Sequence, residues 1–229
     1  LICHKVILIS DFSIFLLKNE MKFLEFQKKM QSYPIFTNQD LRLIFPEENK
    51  NTVNKQLSLW TKQKKLIKLK NGLHVLAPDY TKHELLPEEI AAKLYGPSYI
   101  SLRYALSLYG LIPEAVFDIT SVTVKPTRNF NTSLGTFTYK TIKQPCFFGF
   151  SPRGNSKMPA YMASPEKAVA DFLYFNTHRL VPDFQTWEDL RLQNLDTLDF
   201  QLLTQFAKKL NNKKLTLLIR NLKKYAASN

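Results

Sequence analysis

The chain has 229 residues, 45% of them hydrophobic and only 6 of them glycine, which is enough apolar material for one large or two small cores and excludes a disordered chain. Its formal net charge of +13 is clustered: residues 21–83 hold 12 Lys/Arg against 5 Asp/Glu, residues 84–199 hold 11 against 12, and residues 200–229 hold 7 against none. Clustered cations raise affinity and encounter rate for polyanions, so nucleic acid is the natural partner class, with plain solubilising charge as the alternative.

Leu1–Glu20 carries apolar stretches at Val6–Ile9 and Ile14–Leu17, interrupted by Ser10, Asp11 and Ser13 and too short for a membrane span. It lacks the charged start and small-residue cleavage site of a signal peptide. It reads as translated upstream sequence, with a native N-terminal strand or helix as the rival reading. Met21–Tyr33 places Phe23, Leu24, Phe26 and Met30 at helical spacing, and Pro34 ends it. Ile35-Phe36 reads as a short β-like segment. Thr37 then caps a helix reaching Phe45, with Asp40 in its first turn and Leu41, Ile44 and Phe45 on its buried face.

Pro46 breaks that helix, and Asn49–Lys65 reads as a longer one with two faces. Val53, Leu57 and Trp60 point to a core, while Asn51, Lys55, Ser58 and Lys62 share another face. Leu66–Lys70, a turn at Asn71-Gly72 and Leu73–Leu76 complete a basic hairpin. Two helices and a basic hairpin in this order make residues 21–83 a winged helix-turn-helix pattern, for which double-stranded DNA is the expected partner. The second helix of such a motif enters the major groove with its N-terminal residues nearest the bases. Asn suits adenine, Lys suits guanine or phosphate, and Ser or Thr serves either. Asn51, Thr52, Asn54 and Lys55 are therefore base-reading candidates, followed by Ser58 and Lys62. Lys68, Lys70 and Asn71 would reach a phosphate or the adjacent minor groove. A solvated helix face, and hairpin lysines that only guard a sheet edge, are the alternatives.

A second domain covers residues 84–229. Pro87–Tyr95 and Tyr99–Tyr109 read as helices, the second stopped by Gly110. From Asp118 the period changes to two, and Ile119 with Ser121–Val124, Gly135–Ile142, Cys146–Phe150 and Ala160–Ala163 read as strands. Ser164-Pro165 starts a helix over Glu166–Asn176, whose apolar face is Ala168, Val169, Phe172 and Leu173. Trp187–Asn194, Thr197–Leu210 and Lys213–Tyr225 read as helices.

Catalytic and metal chemistry find little support. Cys3 and Cys146 have no ligand or redox spacing, which fits a reduced, cytoplasmic setting, and the four histidines (His4, His74, His83, His178) are scattered. Isolated histidines are mostly surface or satisfied core residues. A metal-dependent nuclease wants clustered carboxylates with Asp/Glu-x-Lys on a strand, and only Glu20-Met21-Lys22 and Glu48-Asn49-Lys50 have that spacing. No Gly-x-Ser-x-Gly or Walker loop occurs. No catalytic residue, metal or cofactor is expected. Glu166, Lys167 and Asp171 form one polar constellation, and Lys167–Asp171 reads as a structural i,i+4 ion pair.

Three separated blocks resemble the AbiEi family of antitoxins. The first is Gly96-Pro97-Ser98-Tyr99-Ile100-Ser101-Leu102, continuing through Ala105–Gly110 and Leu111-Ile112-Pro113-Glu114. The second is Ile119-Thr120-Ser121-Val122-Thr123 with Asn131-Thr132 and Gly135-Thr136-Phe137-Thr138-Tyr139. The third is Ala163-Ser164-Pro165-Glu166-Lys167-Ala168, with Asp171 at its end. The resemblance implies an α+β chain: an N-terminal winged helix, an α/β antitoxin domain with a helical C-terminus, and a neighbouring nucleotidyltransferase-like toxin. It also implies a type IV toxin–antitoxin system whose antitoxin represses its own operon, and binding to promoter inverted repeats is expected with it. The basic tail (Lys208, Lys209, Lys213, Lys214, Arg220, Lys223, Lys224) has no counterpart in those blocks. A stand-alone winged-helix regulator without a cognate toxin is the alternative.

Overall fold

Helices and strands both build this chain, which is α+β with two separate sheets. The structure, a computed structural model, describes residues 23–82, 84–153 and 159–228, so the reading of Leu1–Glu20 lies outside the described residues. The chain divides after Leu85 into two units. No helix among the described residues is long and apolar enough to cross a membrane.

The N-terminal unit runs α1 (Phe23–Met30), β1 (Ile35–Thr37), α2 (Asn38–Ile44), α3 (Lys50–Lys62), β2 (Leu66–Lys70) and β3 (Leu73–Leu76). The β-like Ile35-Phe36 is a true strand: β1 pairs antiparallel with β3, Ile35 opposite Val75 and Phe36 opposite His74, giving a three-stranded sheet in the order β1-β3-β2. Thr37 ends that strand and caps α2. Asp40 N–H donates to Thr37 Oγ1 at 3.1 Å while Thr37 N–H donates to Asp40 Oδ2 at 2.7 Å, a reciprocal capping box. The core combines Phe26 and Met30 of α1, Phe36, Leu41, Phe45, and Val53, Leu57 and Trp60 of α3. Phe26 lies at its centre, 4.7 Å from the Trp60 ring and 5.3 Å from the Phe36 ring. Burying each such side chain contributes about 1.5–3 kcal/mol.

The second unit runs α4 (Pro87–Leu94), β4 (Ser98–Ile100), α5 (Leu102–Leu108), β5 (Ile119–Thr123), β6 (Arg128–Thr132), β7 (Gly135–Thr141), β8 (Phe150–Arg153), β9 (Ala160–Ala163), α6 (Pro165–Asn176), α7 (Phe184–Leu190), α8 (Phe200–Lys209) and α9 (Lys213–Ala226). Its six strands order β6-β7-β5-β4-β9-β8, with β5–β7 and β4–β9 parallel and the remaining pairs antiparallel. Helix α6 packs against α5, α8 and α9.

Four readings change. The helix expected over Trp187–Asn194 is α7, Phe184–Leu190, which starts earlier because Asp183 caps it and ends earlier because Arg191 adopts a left-handed φ of 52°. Tyr99 and Ile100, expected in a helix, form the short central strand β4 between β5 and β9, because two neighbours offer hydrogen bonds there; the helix begins only after Ser101. Cys146–Phe150, expected as a strand, is a helical turn at Gln144–Cys146 followed by irregular chain, and the strand starts at Phe150. Its aromatics serve packing instead: Phe147 and Phe150 lie 5.2 and 4.6 Å from the Tyr99 ring. Arg128–Thr132 is a strand that alternation did not single out, because it is an edge strand with mostly polar, exposed residues.

Candidate nucleic-acid interface

Helix α3 is set by its ends. Asn49 caps it, accepting a hydrogen bond from Asn51 N–H at 2.8 Å through Oδ1. It stops at Lys62, three residues short of the expected Lys65. Lys64 adopts a left-handed φ of 59°, Lys64 N–H donates to Thr61 O at 3.1 Å, and Lys65 N–H donates to Trp60 O at 2.9 Å. That is a Schellman closure, with Lys where Gly is usual. Val53, Leu57 and Trp60 are buried as their spacing predicts, which turns the opposite face outward.

On that outward face Asn51, Asn54, Lys55, Ser58 and Lys62 are exposed and Thr52 is half-buried. Lys68 and Asn71 of the hairpin are exposed, and Lys70 is half-buried. The turn has positive φ only at Gly72 (76°), and the ladder slips between Lys68 and Lys70 in a bulge, so β2 and β3 close unevenly. Asn38 N–H donates to Gly72 O at 3.1 Å, tying the start of α2 to this turn.

Between α3, the hairpin and Asn38 lies a cleft of about 310 Å³. Asn54, Ser58, Lys62 and Lys68, four of the nine residues picked from the sequence, line it; Asn51, Thr52, Lys55, Lys70 and Asn71 do not. Asn38, Thr61 and His74 also line it and were missed. His74 stands on the middle strand, opposite Phe36 on one side and Lys68 on the other, and its ring stacks on Phe36 at 6.0 Å. It is only 7% exposed, yet its Nδ1 has no hydrogen-bond partner. Burial, and then the Lys68 charge, hold its pKa below the ordinary imidazole range, so the ring is neutral at pH 7. A lone histidine flanked by apolar residues reads from sequence as satisfied core; only the missing partner marks it out.

The second unit hides a different polar group. Lys167 and Asp171 form an ion pair with both side chains 0% exposed. Tyr99 OH donates to Asp171 Oδ2 at 2.9 Å, Ser101 Oγ donates to it at 2.8 Å, and Lys167 Nζ donates to Tyr99 OH at 2.9 Å. Gly149 crosses the lysine stem so closely that a Cβ there would meet Lys167 Cγ at 3.0 Å. Burial pushes Asp171 up and Lys167 down, against their mutual attraction, and burial with the Asp171 charge pushes Tyr99 well above the phenol range. With every member enclosed, the group is a structural tie between β4 and α6, as the sequence spacing suggested for the pair. Glu166 sits apart from it, accepting from Asp199 N–H at 3.3 Å. Among the described residues no cluster of His, Cys, Asp and Glu could hold a metal ion.

No protein-family model and no curated protein matches this chain.

Proposed function

We propose that this chain is an antitoxin of a type IV toxin–antitoxin system that also binds promoter DNA through a winged helix-turn-helix and represses its own operon. The carrying observation is the exposed row Asn51, Asn54, Lys55, Ser58 and Lys62 on α3, of which Asn54, Ser58 and Lys62 line one cleft with the exposed Lys68 of the hairpin. An α-helix with its side chains is about 10–12 Å across, which fits the roughly 12 Å wide major groove. The antitoxin half of the reading is supported by the three sequence blocks over residues 96–171, and the DNA half by the charge of residues 21–83. A stand-alone regulator shares the DNA half and differs only in having no toxin neighbour.

The test uses the full chain and a duplex from the region upstream of its own reading frame. Affinity falls with added salt, with a log–log slope of about −0.9 per neutralised phosphate. Lys55→Glu lies on an exposed helix face and leaves the fold intact while weakening binding at least about tenfold. Unchanged binding removes α3 from the recognition role. Co-expression with an adjacent nucleotidyltransferase-like gene rescues growth if the chain is an antitoxin; no rescue favours the stand-alone regulator.

A further inference from the structure

Among the described residues of the N-terminal unit, two buried polar atoms have no hydrogen-bond partner, Asn38 Oδ1 and His74 Nδ1, and both residues line the cleft beside α3. A buried polar atom without a partner costs about 1–3 kcal/mol, and a side-chain rotation that turned either group into the cleft would let a ligand there satisfy it. The charge of the cleft fixes the ligand's sign. Lys62 and Lys68 border it and no carboxylate does. A cation is disfavoured by both lysines; an anion is drawn in. The donors suit an anion as well. A neutral imidazole donates through one nitrogen, and a half-turn of the Asn38 amide presents its NH2 where the oxygen stood. The Thr61 hydroxyl is already committed to Leu57 O at 2.7 Å, so it adds no donor.

We propose that this cleft seats one phosphate of a duplex DNA backbone, held by Lys62 and Lys68 and by side-chain donors from Asn38 and His74. The proposal rests on the DNA-binding reading of α3 and adds a fixed backbone contact to it. The volume of about 310 Å³ exceeds what a lone phosphate fills and leaves room for the adjoining sugars. The cleft also shares Asn54, Ser58 and Lys62 with the outward face of α3, so a phosphate seated here borders the groove that this helix would enter. Such a contact positions the protein without reading sequence.

The decisive variant is Asn38→Asp, which puts a negative charge at the cleft while suiting the start of α2, where acid is favoured. With the full chain and a mixed-sequence duplex, it lowers affinity about 10- to 100-fold. It also reduces the steepness of the salt dependence by about 0.9, one phosphate's worth. Unchanged affinity and slope, in a protein whose binding Lys55→Glu still weakens, overturn the cleft proposal and leave the DNA reading standing. A protein that binds no duplex at all sinks both. The His74 ring signals in NMR separate the source of the phosphate: they shift on adding duplex DNA if the backbone is seated. A shift with inorganic phosphate but none with duplex overturns the backbone assignment in favour of a small phosphate compound.

Discussion

Replacing Lys167 by methionine keeps the length and apolar stem of the side chain and removes only its charge, which isolates what the buried pair does. Asp171 then keeps two hydroxyl donors, Tyr99 and Ser101, and loses its counter-ion in a fully enclosed site. Removing one partner of a buried pair costs about 3–5 kcal/mol. For a unit of this size that lowers Tm on the order of 10 °C. The loss has a pH signature. An unfolded Asp titrates near 3.9. Burial already raises the folded carboxyl above that, and removing the lysine raises it further. A group with a raised folded pKa gives its stability below the unfolded value and loses it as pH climbs toward the folded one, at about 1.4 kcal/mol per pH unit. Denaturant unfolding between pH 5 and 8 should therefore show the deficit of Lys167→Met shrinking on acidification. Adding Asp171→Leu should cost less than the two single losses together, by about 2–3 kcal/mol. A deficit under about 1 kcal/mol, or one that ignores pH, refutes this account of the pair.

Thr37→Ala removes the hydroxyl that accepts from Asp40 N–H and should lower the stability of the N-terminal unit by about 1 kcal/mol, read by denaturant unfolding. Lys64→Gly should raise it by about 0.5–1 kcal/mol, because the left-handed φ of 59° costs a lysine what it does not cost a glycine. A loss of stability on Lys64→Gly would show that the lysine side chain contributes more than its backbone costs.

What the sequence made legible follows its local chemistry. The Thr37 cap with Asp40 in the first turn, the Val53–Leu57–Trp60 face and the Ser164-Pro165 helix start are written in short spacings, and each forms as read; that Asp40 also closes a capping box back to Thr37 is added by the structure. Tyr99-Ile100 has an apolar spacing that fits a helix, while its strand state is imposed by β5 and β9, which are distant in sequence. The end of α3 is not legible, because nothing in Lys64 announces a left-handed residue as Gly would. At the candidate interface the exposed helix residues were legible from amphipathicity. Asn38 and His74 were not, since their place in the cleft depends on α2 and β3 meeting beside α3.

The buried pair also bears on the order in which the second unit assembles. Lys167 and Asp171 are one helical turn apart and can meet in an isolated α6, but Tyr99 and Ser101, which enclose Asp171, lie about 70 residues away. Closing so long a loop is entropically slow, so the charges stay hydrated until β4 docks. Interactions completed after the transition state slow unfolding and leave the folding rate nearly unchanged. Where β4 docks after the transition state, the tie is a late latch, setting how long the folded unit lasts more than how quickly it forms.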